Sequence, residues 1–216
     1  VNQRGIALLT GLLLMAAISL LALSATSGML LQRSMTVNFQ ENAVALQNAG
    51  VASAYAAAWL FSRPVNERES GCGDNCLLPM AIHDAGSLPA NPEFESIQWW
   101  RINATPAGYN PQTAQTDPAP VAGEEPAFWL IEEIHFESTG DSRDEGRAES
   151  QAWYRILSRG AGRNGRSVAV SETIVARPWN GDFQPAVYPP EGPAEAFCDQ
   201  FESRYACGPL AWRQKR

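Results

Sequence analysis

Between Arg4 and Arg33 the chain carries no ionisable side chain. The stretch Ile6 to Gln32, IALLTGLLLMAAISLLALSATSGMLLQ, is apolar throughout apart from scattered Ser, Thr and Gln. As a helix rising about 1.5 Å per residue it is long enough to cross a bilayer hydrocarbon core of about 30 Å. The helical pattern does not end with the apolar run. From Arg33 to Phe61 it continues as an amphipathic stretch rich in Ala, Leu, Gln and Val, and the first proline is Pro64. The sequence therefore predicts one helix over 6–62, with a membrane-length segment (6–32) and an amphipathic stalk (33–62) that ends before Pro64. A cleaved secretory signal is the competing reading. Signal cores run about 7–15 residues and end in a small-residue site, whereas this run is nearly twice that and Ala22-Leu23-Ser24-Ala25 is a poor site.

The remainder, 63–216, is enough for one small domain. Acidic residues number 23 against 16 Lys and Arg, a formal charge of -7. That balance argues against nucleic acid, whose phosphates demand clustered cations. The four cysteines form two local pairs, Cys72/Cys76 and Cys198/Cys207, as expected of disulfides in an oxidising compartment. Loop closure favours these local pairings among the three possible connectivities. A zinc site fits the C-x3-C and C-x8-C spacings poorly, and no other metal or cofactor is expected. The carboxylates of Asp141 to Glu149 read as a solvated loop, since Arg143 would oppose a cation there. His83 and His135 read as surface or lightly buried residues. No nucleophile-elbow serine and no glycine-rich phosphate loop is present, so no catalytic residue is assigned.

Past the helix, 63–95 reads as loop. Ile97 to Ile102, Phe128 to Phe136, Trp153 to Arg159 and Ser167 to Arg177 read as four short strands. A Pro/Gly/Thr-rich loop, 104–126, separates the first two. Asn164-Gly165 predicts a hairpin between the last two, giving an antiparallel pair with one wet face carrying Ser167, Ser171 and Thr173. Phe128, Leu130, Ile134 and Phe136 are expected on one face. Trp99, Trp100, Trp129 and Trp153 are expected in strands, as core or sheet-face packing. Pro178 to Arg216 reads as an irregular segment pinned by Cys198–Cys207. The fold class predicted is α+β, a long N-terminal helix on a small antiparallel sheet, with Met35, Phe39, Val44, Leu46, Val51, Tyr55 and Leu60 supplying the helix side of the contact.

This arrangement resembles the type IV pilins, and more narrowly the PilX-like minor pilins. The resemblance rests on Gln3-Arg4-Gly5 before the apolar run, on Leu31-Gln32-Arg33-Ser34-Met35-Thr36-Val37-Asn38, on Ala45-Leu46-Gln47-Asn48-Ala49, and on Trp153-Tyr154-Arg155-Ile156-Leu157-Ser158-Arg159-Gly160-Ala161-Gly162, which is similar to the family's Y-R-[IV]-x-x-R-G-x-G stretch. It covers roughly 3–60 and 152–177. The resemblance implies a leader, 1–5, cut after Gly5 by prepilin peptidase, with methylation of the new terminus at Ile6. It implies that 6–32 is an assembly segment, including Thr10 and Leu14, and that 63–216 is a pilin head. Major pilins carry glutamate where this chain has Thr10, and family members often carry one near Gly50. The Thr10 departure resembles pilins placed at the fibre tip.

The function this implies is that of a non-enzymatic minor pilin. It would take part in pilus assembly by priming or incorporation, supporting twitching motility or adhesion. Its partners would be other minor pilins, the major pilin, prepilin peptidase and the inner-membrane assembly platform. Its location would be the inner membrane, with a periplasmic head, and then the extracellular fibre. A minor pseudopilin of a type II secretion system shares the same helix logic. A membrane-anchored periplasmic enzyme or binding domain is the reading from a different class.

Overall fold

The computed structural model describes residues 4–69, 76–80, 88–111, 113–116, 121–138, 148–188, 194–201 and 205–215. Helix α1, Arg4–Ser62, runs without a break. The chain divides into two compact units, Val1–Gln40 and Glu41–Arg216. The boundary thus falls inside α1 and not at its end.

In the first unit the described large apolar side chains of the helix are exposed, Leu8 and Leu14 among them. Two polar residues within the run are satisfied locally. Ser19 Oγ donates to the Met15 carbonyl at 2.8 Å, and Thr26 Oγ1 donates to the Ala22 carbonyl at 3.0 Å. Such back-bonding removes the need for water around those hydroxyls.

The second unit is an α+β domain. After α1 come β1 (Leu77–Leu78), α2 (Ile97–Asn103), β2 (Thr105–Pro106), β3 (Tyr109–Asn110), β4 (Gln115–Thr116), β5 (Phe128–Ser138), β6 (Ser150–Ala161), β7 (Val168–Trp179), α3 (Ala194–Cys198) and β8 (Gly208–Lys215). The main sheet is ordered β1-β5-β6-β7-β8, with β2 also pairing β5, and every pairing is antiparallel. The β6–β7 hairpin turns at Asn164-Gly165, as its dipeptide predicts. Gly165 takes φ +67°, and Asn164 Oδ1 accepts from the backbone N–H of Arg166 at 2.8 Å.

The C-terminal part of α1 lies on one face of this sheet. Ala45, Ala49, Ala52 and Ala56 are fully buried at helical spacing, followed by Trp59, Leu60 and Phe61. From Ala52 onward these residues join Trp129, Ile131, Tyr154, Ile156, Val175 and Trp179 in one core. The opposite face holds a smaller core of Trp100, Phe128, Leu130, Leu157 and Val170.

Five expectations are corrected here. First, Ile97 to Ile102 is helical, not extended: Ser96 caps α2 by accepting from the Trp99 N–H at 3.2 Å, and the helix directs Trp100 into the second core. Trp99 and Trp100 are therefore not strand residues, although Trp129 and Trp153 are. Second, Phe128, Leu130, Ile134 and Phe136 do not share a face. A bulge between Glu133 and His135 leaves Phe128 and Leu130 in the second core while Phe136 packs on the first. Third, the face of β7 expected to be wet is the one under the helix, so Ser171 and Thr173 are buried. Fourth, of the stalk residues expected to bury on the sheet only Leu60 is fully buried. Val44, Leu46, Val51 and Tyr55 are half-buried, and Met35 and Phe39, in the first unit, are exposed. Fifth, the C-terminal segment is not wholly irregular, since it supplies β8.

Candidate functional site

Glycines at the end of β6 and just beyond it build the seat for α1. A Cβ placed on Gly160 would lie 2.3 Å from both the Ala45 carbonyl oxygen and the Ala49 nitrogen, and one on Gly162 would lie 2.8 Å from the Glu41 carbonyl oxygen. Only glycine lets the strand approach the helix backbone this closely. The facing helix residues are alanines for the same reason. Under the next turns the sheet offers short polar side chains. Ser158 Oγ and Ser171 Oγ are 2.7 Å apart, and Ser53 Oγ lies 3.3 Å from Thr173 Oγ1.

Asn48, at the centre of this contact, is 1% exposed. Its amide donates to the carbonyls of Ala161 at 2.7 Å and Ala122 at 2.8 Å, and its oxygen accepts from the Ala122 N–H at 3.0 Å. One side chain thereby pins the helix to the end of β6 and to the loop ahead of β5. Glu41 closes the same end, accepting from the Asn164 N–H at 3.0 Å. At the other end, Arg177 donates to the carbonyl of Leu60 and, at 2.5 Å, to that of Arg63. A cation there satisfies the orphan carbonyls and matches the helix dipole. The guanidinium stacks 3.6 Å from the Trp179 ring centroid. Burial pulls the Arg177 pKa below the usual arginine range.

Beside it, Arg68 forks onto Glu133, which accepts from Tyr154 at 3.1 Å, and Tyr154 in turn accepts from Trp179 Nε1 at 2.9 Å. Burial, and then the Glu133 carboxylate, raise the Tyr154 pKa well above that of a free phenol. On the opposite sheet face Glu132 pairs with Arg155, and Glu172 pairs with Arg213 at 2.9 Å. Lys215 lies 3.2 Å from Glu93. Glu132, Arg155, Glu172 and Lys215 help line a cavity of about 160 Å³. Its charges are matched pairwise.

No family model, curated protein or solved structure matches this chain.

The residues singled out from sequence fall in three groups. Gly5, Ile6, Thr10 and Leu14 lie on α1, and Leu14 is 63% exposed. Cys198 and Cys207 form a disulfide, and Cys76 is disulfide-bonded. Cys72, His83 and 139–147 lie outside the described residues, so of the Asp141 to Glu149 loop only its last two residues are described. His135 is exposed and stacks on Trp153 at 5.2 Å. Among the described residues no group of three or more His, Cys, Asp or Glu is placed to hold a metal.

Sequence reasoning missed Asn48 and Arg177. Asn48 stood in the quoted Ala45-Leu46-Gln47-Asn48-Ala49 stretch, where a polar residue between alanines of the buried stripe was the available signal. Arg177, ending an apolar strand pattern, carried a similar one.

Proposed function

We propose that this chain is a PilX-like minor pilin, a subunit that primes or joins a type IV pilus through its N-terminal helix. The observation that carries the reading is the division of α1. One part has an alanine face matched to glycine and serine on its own sheet. The other is a membrane-length run whose described leucine side chains are exposed. Large apolar side chains left in this state need another apolar medium, first a bilayer and then the equivalent segments of neighbouring subunits. The leader-like Gln3-Arg4-Gly5 and the seat at Gly160 and Gly162 support the same reading.

In this account prepilin peptidase cuts between Gly5 and Ile6, the head stands in the periplasm before assembly, and other minor pilins and the major pilin are the partners. Thr10 cannot supply the carboxylate that major pilins place there, which favours a place at the fibre tip. The test is pilus shearing and twitching in strains lacking the gene or carrying Leu14→Asp. Loss of surface pili and motility is expected in both. Normal piliation in both would remove the assembly role, and normal piliation with impaired protein secretion would move the chain to a type II secretion system.

A further inference from the structure

We propose that β8 is a hinged strap, fixed at its Gly208 end and latched at its Lys215 end, whose release opens the cavity that Lys215 lines. The strand buries little. Trp212 is 57% exposed, Leu210 is exposed as well, and Arg213 keeps 65% of its side chain exposed. Among the described residues β5, β6 and β7 each contribute to both hydrophobic cores, and β8 contributes to neither. Its attachment therefore rests on backbone pairing with β7 and on what holds its two ends. An element without core side chains opens at a lower free energy than the fold that carries it.

The two ends are held differently. At the root, Cys207 is bonded to Cys198, Tyr205 Oη donates to the Ala148 carbonyl at 2.7 Å, and Gln151 donates to the carbonyl of Ala206. Gly208 is buried there at φ +84°. Just beyond it, Pro209 has no N–H to give to the ladder, and the register shifts opposite Ile174/Val175. This is where the strand is able to bend. At the tip, charge takes the place of a covalent tie. The Lys215 side chain is 15% exposed, with its ammonium 3.2 Å from Glu93 and 3.9 Å from Glu172. Between the ends, Arg213 adds an ion pair to Glu172 at 2.9 Å. Lys215 lines the cavity of about 160 Å³ together with Leu88, Pro92, Glu132, Leu157 and Glu172. When the pairs to Glu93 and Glu172 break, no core side chain retains the tip, and one wall of the cavity leaves with it. This inference does not depend on the pilus reading.

The test is residue-level amide hydrogen exchange on the full chain in detergent micelles. In the wild type at neutral pH, the β8 amides bonded to β7 should exchange at least roughly tenfold faster than those of the β5–β6 ladder. Glu93→Gln and Lys215→Gln should each speed β8 exchange by a further roughly fivefold, the scale of a partly exposed ion pair. Exchange along β5 and β6 should hold in both variants, which reports that the domain is intact. The cavity is read separately. Leu157→Cys places a thiol on its buried wall, and a small maleimide should label it at a rate that follows β8 opening and rises about fivefold when Glu93→Gln is added. Exchange of β8 in step with β5–β6 in the wild type overturns the strap. Unchanged β8 exchange in both charge variants overturns the latch and leaves an ordinary fraying strand. A thiol that labels at the rate of β5–β6 opening overturns the gating of the cavity.

Discussion

One helix carries two opposite solutions to the placement of apolar side chains. Within 8–40 the described large apolar residues are exposed, with Leu8, Leu14 and Phe39 at 74%, 63% and 76%. Within 41–62 the residues against the sheet are mostly alanine, and they are wholly buried. The backbone is the same α-helix in both. The difference is distance of approach. A helix seated on a strand with glycine at Gly160 has no room for leucine, so burial there selects small side chains and a strand shaped to match. A helix exposed to lipid meets no preset partner surface, so large apolar side chains are accommodated and charge is excluded. The teaching is that hydrophobicity alone does not tell which half of a long helix is buried in its own fold.

Substitutions can break this contrast from either side. The largest effect is expected at Gly160. A valine there would drive its side chain into the Ala45 carbonyl and the Ala49 nitrogen, costing about 3 kcal/mol or more. Urea unfolding of the purified chain, followed by tryptophan fluorescence, should show the loss, and an unchanged midpoint would mean the helix does not sit on β6 as described. Leu14→Asp attacks the other half. It should cost about 2.5–3.5 kcal/mol of membrane insertion, read as a shift from membrane to soluble fraction, and should leave the urea midpoint of the head unmoved. A destabilised head would mean that Leu14 also supports the fold of 41–216.

Asn48→Ala should come next. It strands the Ala122 N–H and the Ala161 carbonyl in a buried site, at about 2 kcal/mol, measured by the same unfolding curve. The smallest effect at neutral pH is expected for Tyr154→Phe, about 1 kcal/mol for the bonds to Glu133 and Trp179. Its signature is the pH dependence. The folded pKa of Tyr154 is raised above the unfolded value of about 10, so the folded state keeps a proton the unfolded state loses. The resulting stability is fully present below that value and declines as pH rises beyond it. Unfolding curves across alkaline pH should therefore fall more steeply in the wild type than in the phenylalanine variant, and parallel curves would place the phenol outside the buried network.

How far the sequence carried this description follows from the same physics. The helix was legible from end to end because absence of proline is a local property, and its stop at Ser62 before Pro64 is equally local. The β6–β7 hairpin was legible from Asn164-Gly165 and the flanking strands. What misled was long-range. Periodicity marks Ser171 and Thr173 as the wet side of β7, yet that side is covered by a helix of alanines that tolerates short polar partners. Periodicity cannot register a bulge, so Phe136 was assigned to the wrong face. Ile97 to Ile102 has the residues of a strand, but Ser96 caps a helix there and Trp100 finds a core. β8, with its Gly208-Pro209 start and mixed polarity, carries little strand signal, and its pairing with β7 decides it. Of the candidate site, the exposed run and the Cys198–Cys207 bridge could be read from the chain. The Asn48 and Arg177 anchors could not, because their meaning lies in backbone carbonyls distant in sequence.

On the proposed reading, the exposed half of α1 enters a fibre after cleavage next to Ile6. Mass spectrometry of sheared, purified pili tests it most directly. The account predicts this chain in the fibre fraction, in small amount, beginning at Ile6 with a methylated amino terminus. Absence from the fibre while the membrane fraction retains the protein, or a mature terminus near Ala25 or Thr26, would contradict it.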